Sequence, residues 1–99
     1  MEIIEKKNGG ELIVALEGEL NSQTAPMLDA YITKALKEVE TLIFDFAKLD
    51  YLSSAGLRTL LVAQKVMARQ GEMIIRHVNE DIRDVFALTG FDTVLTIED

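Results

Sequence analysis

Thr41-Leu42-Ile43-Phe44-Asp45-Phe46 is a nearly unbroken run of apolar and β-branched side chains, and its reading decides the fold. A strand with one wet face alternates apolar with polar; a run without alternation is the pattern of a strand covered on both faces, central in a partly parallel sheet. Parallel neighbours cannot be joined by a tight turn, so helical crossovers must flank it.

Both flanks carry helical periodicity. Upstream, Leu28, Tyr31, Ile32, Ala35, Leu36 and Val39 recur at the spacing of one helix face. Ser22 or Thr24 can cap this helix, and Pro26 suits its first turn because the amide it lacks would have no partner there. Downstream, a second helix is expected from about Ser54 to Gln70, its apolar stripe formed by Leu57, Leu60, Leu61, Ala63, Met67 and Ala68, with Gly71 available as the residue that ends it.

Further out, Glu2 to Lys7 and Glu11 to Glu17 are β-prone runs on either side of Asn8-Gly9-Gly10, whose Asn-Gly step supplies the positive φ angles of a hairpin. Glu72 to Val78 reads as another strand. Asn79 and Asp81 offer caps to a third helix with Ile82, Val85, Phe86 and Thr89 inward and Gly90 at its end, and Thr93 to Ile97 reads as a last, edge strand. The order β-β-α-β-α-β-α-β predicts one α/β domain over residues 1–99. It is a mixed, mostly parallel sheet of about five strands, opened by an N-terminal hairpin and packed by about three to four helices through right-handed crossovers.

Composition narrows the function. The 99 residues hold 10 basic and 17 acidic side chains, a formal charge of −7 that disfavours nucleic acid and anionic membrane surfaces as partners. There is no cysteine, which removes disulfides, thiolate metal sites and cysteine nucleophiles. The N-terminal residues lack a basic segment followed by a long apolar run, and no membrane-length apolar stretch occurs, so a cytoplasmic location without direct membrane insertion is expected.

Catalytic chemistry finds little support. The single histidine, His77, falls in a strand-like segment with no Gly-x-Ser-x-Gly elbow elsewhere, and reads as an ordinary strand residue. Acidic residues are scattered rather than set at ligand spacing, and the glycines form no phosphate-cradling loop. No metal, no cofactor and no enzymatic activity are expected.

One segment remains, Leu49-Asp50-Tyr51-Leu52-Ser53-Ser54-Ala55-Gly56-Leu57-Arg58, where two adjacent hydroxyls meet a helix start. On the residues alone, Ser53 or Ser54 is an N-cap contributing about 1 kcal/mol. The loop from Asp50 to Leu57 also resembles the D/S-S-S/A-G-L signature of STAS domains, the anti-sigma factor antagonists, and Gly18-Glu19-Leu20-Asn21 resembles that family's G-E/D-L-D segment. The likeness extends over essentially the whole chain and includes the late Phe86-Ala87-Leu88-Thr89-Gly90-Phe91 segment.

The resemblance implies a protein-binding module. It would hold an anti-sigma factor that is also a serine kinase, release it when Ser54 is phosphorylated, and be reset by a serine phosphatase. Ser53 is the alternative acceptor. Asn21, Ser53, Ser54, Ala55, Gly56, Arg58 and Val62 are the expected partner-binding residues. Two departures remove negative charge: Ser53 stands where the family often has Asp, and Asn21 where it has Asp after G-E-L.

On the second helix Arg58, Lys65 and Arg69 fall within about 40° of one another, beside Ala55, Val62 and Val66. This strip reads either as a solvated face whose valines pack against the first helix, or as a docking surface. A STAS subunit of a membrane transporter or lipid-export complex, without phosphorylation, is the competing function; a small-ligand sensor is a lesser one, since aromatic residues make up only 6% of the chain.

Overall fold

In the computed structural model, which describes residues 1–98, the apolar run at Thr41 opens a strand twice its length, Thr41–Leu52 (β3). Around it stand β1 (Glu2–Asn8), β2 (Glu11–Leu20), α1 (Ala25–Ala35), α2 (Ser54–Ala68), β4 (Glu72–Arg76), α3 (Glu80–Thr89), a 3-10 turn at Phe91–Thr93, and β5 (Thr96–Glu98). The sheet order is β1-β2-β3-β4-β5, with β1 antiparallel to β2 and every other pair parallel. The expected order, the mixed sheet and the central place of β3 all hold.

Each parallel step moves the same way across the sheet, so right-handed crossovers put α1, α2 and α3 on a single face. Leu12, Val14 and Leu16 of β2, Leu42, Phe44 and Phe46 of β3, and Met73 and Ile75 of β4 form one core with Leu28, Ile32, Leu57, Leu60, Met67, Ile82 and Phe86 from the helices. The cover expected on both faces of β3 therefore comes from the helices on one face only. On the opposite face Ile13, Ile43 and Ile74 stand side by side in register. Lateral isoleucines bring Ile43 to 3% exposure, which is why β3 lacks alternation without a second helical layer.

Several boundaries move for local reasons. The hairpin loop is Gly9-Gly10, and only Gly9 has positive φ, the pattern of a turn whose first central residue is glycine; Asn8 stays in β1. Thr24 is the N-cap residue of α1, but its hydroxyl does not cap. In α2 Ala68 is exposed, while Thr59, absent from the expected stripe, is buried. Gly71 is not a left-handed helix end: the α2 terminus stays right-handed at Arg69, and a Cβ on Gly71 would lie 1.7 Å from the Glu40 carbonyl oxygen. Close approach of two backbones, not φ, demands glycine there.

The strand expected to reach Val78 stops at Arg76, because His77 turns left-handed at φ 60. In α3 Asn79 caps as expected, its Oδ1 accepting from the Ile82 amide at 2.8 Å, and Gly90 ends the helix at φ 78. Thr89, expected inward, is exposed and donates its hydroxyl to the Val85 carbonyl at 2.7 Å. The final strand begins at Thr96 rather than Thr93, since the 3-10 turn consumes the residues before it.

Candidate functional site

The serine loop lies where β3 hands over to α2, and its neighbours are set by the sheet. Glu19 and Leu20 pair with Tyr51 and Leu52, and the Ser53 amide donates to the Leu20 carbonyl at 2.9 Å. The end of β2 thus holds the start of α2. Gly56 makes this possible: a Cβ there would meet Leu52 Cδ1 at 2.6 Å and Leu20 Cγ at 2.7 Å. The glycine of the motif is a packing requirement that seats the first turn of α2 against two buried leucines.

Asn21, next to Leu20, organises the adjacent loop. Its Oδ1 accepts from the amides of Gln23 at 2.9 Å and Thr24 at 3.1 Å, while Thr24 Oγ1 accepts from the Asn21 amide and donates to the Glu19 carbonyl at 2.8 Å. The oxygen does what either Asn or Asp can do, so the replacement noted in the sequence keeps the loop and removes its charge. Thr24's hydroxyl is committed to this turn, which is why it does not cap α1.

The two serines differ sharply. Ser53 is the N-cap of α2 with extended backbone, yet its hydroxyl makes no capping bond, and its Oγ is buried without a hydrogen-bond partner. The capping role expected of Ser53 is therefore corrected; only its carbonyl serves the helix, accepting from the Leu57 amide at 3.0 Å. Ser54 is the first residue of α2 and is exposed. It sits among the helix-start amides that have no intrahelical acceptor, at the positive end of the dipole, and no acidic residue occupies the first turn.

Ala55 is half-buried against the core. Arg58 follows Ser54 by one turn and is exposed, and Val62, one turn further, is 46% exposed. Val62 and Val66 line a furrow beside α1 rather than being enclosed by it. Asn21, Ser53, Ser54, Ala55 and Gly56 thus come together at the C-terminal ends of β2 and β3, with Arg58 and Val62 leading away along α2. Two contributors escaped the sequence reading: Tyr51, 51% exposed inside the loop motif, and Asn79, whose Nδ2 donates to the Leu49 carbonyl at 2.9 Å and ties the α3 start to β3. An aromatic next to Asp50, between the apolar Leu49 and Leu52, was the available signal for the first.

His77 is not a strand residue as expected. It follows β4 in the left-handed region, with Nδ1 at 2.9 Å from Asp45 Oδ1, and neither serine hydroxyl bonds to it among the described residues. Partial burial pushes the Asp45 carboxyl up, but the His77 hydrogen bond, the Ala47 amide and the charges of His77 and Arg76 outweigh it and hold Asp45 below its ordinary value. No group of three or more potential metal ligands occurs among the described residues.

A mixed sheet with helices on one face, and a serine at the head of the helix after the central strand, defines a class that comparison with known proteins identifies. The STAS domain family matches residues 2–99; the chain belongs to that family. Its similar relatives are anti-sigma factor antagonists. BtrV of Bordetella bronchiseptica, named for an inferred role of that kind, is 35% identical over 99 residues, spanning 98% of this chain and 85% of BtrV. An anti-sigma factor antagonist from Mycobacterium paratuberculosis shares the fold with a TM-score of 0.88 at 22% identity, covering 97% of this chain and 83% of that one. The Bacillus cell fate determinant SpoIIAA in its phosphorylated form superposes with a TM-score of 0.76 at 22% identity, covering 99% and 92%. No helix among the described residues is long and apolar enough to cross a membrane.

Proposed function

We propose that this chain is an anti-sigma factor antagonist that works as a phosphorylation-switched protein-binding module. With Ser54 unmodified it binds an anti-sigma factor that is also a serine kinase; with Ser54 phosphorylated it lets go, and a serine phosphatase restores it. It acts as ligand and substrate and performs no catalysis itself.

One observation carries the reading: of the two adjacent serines, the exposed one is Ser54, at the first position of α2, while the Ser53 oxygen is buried. A kinase needs the hydroxyl in solvent. The fold needs the resulting dianion to be tolerated, and unpaired amides at a helix start with no acidic neighbour in the first turn tolerate it well. That SpoIIAA, similar in fold, has a phosphorylated form supports the same reading. The docking face then comprises Asn21, Ser53, Ala55, Gly56, Arg58 and Val62 around the acceptor.

A phosphate on this face must be desolvated or must displace contacts when the partner docks, and a penalty of about 3 kcal/mol weakens affinity roughly a hundredfold. Ser54→Asp tests it in titrations with the cognate anti-sigma kinase: affinity falls by about that factor while the thermal transition stays where it was. Undiminished affinity in this variant overturns the switch.

A further inference from the structure

The acidic residues of this chain are unevenly placed. From Tyr51 to Gly71 there is not one Asp or Glu, whereas Arg58, Lys65 and Arg69 lie along that stretch. The ion pairs Lys48–Glu17 and Arg76–Glu98 and the His77–Asp45 hydrogen bond lie on the sheet or the loop after β4. Lys34, Lys37, Lys65 and Arg69 have no carboxylate partner within the described residues, in a chain with an excess of carboxylates.

Two of these cations, Lys34 and Lys37, line an apolar furrow of about 500 Å³ between the C-terminal halves of α1 and α2. Its floor is Ile32 and Leu36, both nearly fully buried, and its wall on α2 is Val62 and Val66, 46% and 38% exposed. Lys34 and Lys37 rise on the α1 side. Gln70 closes the end, donating Nε2 to the carbonyls of Leu36 at 2.6 Å and Val39 at 2.7 Å.

The complementary surface lies on α3 of the same chain. Asp81, Asp84 and Leu88 are spaced i, i+3, i+7 and share one exposed face. Leu88 is 87% exposed, the most of any large apolar side chain described, and Val94, 48% exposed, follows beyond the 3-10 turn. An apolar knob flanked by carboxylates matches an apolar furrow flanked by amines.

We infer that the chain associates with a second copy of itself, the Asp81–Asp84–Leu88 face of α3 in one molecule seating in the α1–α2 furrow of another. The two surfaces differ, so the contact is heterologous and builds rings or open chains unless a two-fold arrangement pairs both contacts at once. The furrow starts at Val62, about 12 Å along α2 from Ser54, so self-association and docking at the serine loop compete for the α2 surface. Charge on both molecules keeps the association weak at ordinary concentrations.

Sedimentation velocity over a concentration series reaching about 1 mM, with amide shifts mapped by NMR over the same series, tests it. The expected result is a rising sedimentation coefficient with shifts gathered on residues 33–37, 62–70 and 81–94. Val66→Glu or Leu88→Ser, both exposed positions outside the proposed serine-loop face, weakens association at least tenfold. Lys37→Glu does the same, and mixing it with Asp84→Lys restores the contact. A chain that stays monomeric throughout the series overturns the inference. So does association that survives Val66→Glu and Leu88→Ser together, or shifts that fall on the β1 edge instead. None of these readouts depends on phosphorylation, so the outcome is separate from that of the proposed switch.

Discussion

Ser53 and Ser54 carry the same hydroxyl one residue apart, and the fold gives them opposite environments. The sequence made both candidates for capping and for modification because a helix start is legible only to within a residue or two, and that uncertainty spans the difference between inside and outside. The structure separates them: Ser53 Oγ is buried with no partner, and Ser54 is exposed. A buried hydroxyl that bonds to nothing costs stability, whereas a capping hydroxyl contributes it. Ser53→Ala is therefore expected to hold or raise the unfolding free energy, by up to about 1 kcal/mol, in urea denaturation. A loss of about 1 kcal/mol is the capping outcome, and it would contradict the geometry described here.

At the scale of elements, periodicity and caps were readable and close approaches were not. The Asn79 cap and the Gly90 end follow from local spacing and are found, while the apolar face expected to run to Val39 outlasts α1, which ends at Ala35 and leaves Leu36 and Val39 buried beyond it. Gly56 and Gly71 occur in readable places for unreadable reasons, since their lack of a side chain answers to Leu20, Leu52 and Glu40, residues brought near only by the folded sheet. His77 was misread for a related reason: nothing local marks a left-handed residue whose ring finds Asp45 across the sheet. Gly56→Ala is expected to push α2 off β2 and β3 at a cost of about 2 kcal/mol, seen as an earlier urea midpoint. It should also weaken anti-sigma factor binding, because the serine loop moves with the first turn of α2. Unchanged stability would show that Leu20 and Leu52 yield more freely than their contacts suggest.

For the whole molecule, one titration reports on the sheet face that the helices leave uncovered. Asp45 has a folded value below its ordinary one, so the stability it lends is fully present above the unfolded carboxylate range, about pH 4, and is lost as the pH falls through the lowered folded value. His77→Ala removes the largest of the interactions that together outweigh burial there. Carbon-detected NMR should find the Asp45 midpoint raised in this variant, and the stability gap between natural chain and variant should be widest above about pH 4 and shrink below it. An unmoved midpoint would mean that Arg76 and the Ala47 amide suffice.

The proposed switch joins all three scales: a hydroxyl in solvent, a helix start that accepts a dianion, and a fold that stays intact while its partners change. Peptide mapping after incubation with ATP and the cognate anti-sigma kinase, run on the natural chain, Ser54→Ala and Ser53→Ala side by side, reads it directly. The account predicts a single phosphate on Ser54 in the natural chain and in Ser53→Ala, and none in Ser54→Ala. A phosphate that persists in Ser54→Ala, or a natural chain that is never modified, would contradict it.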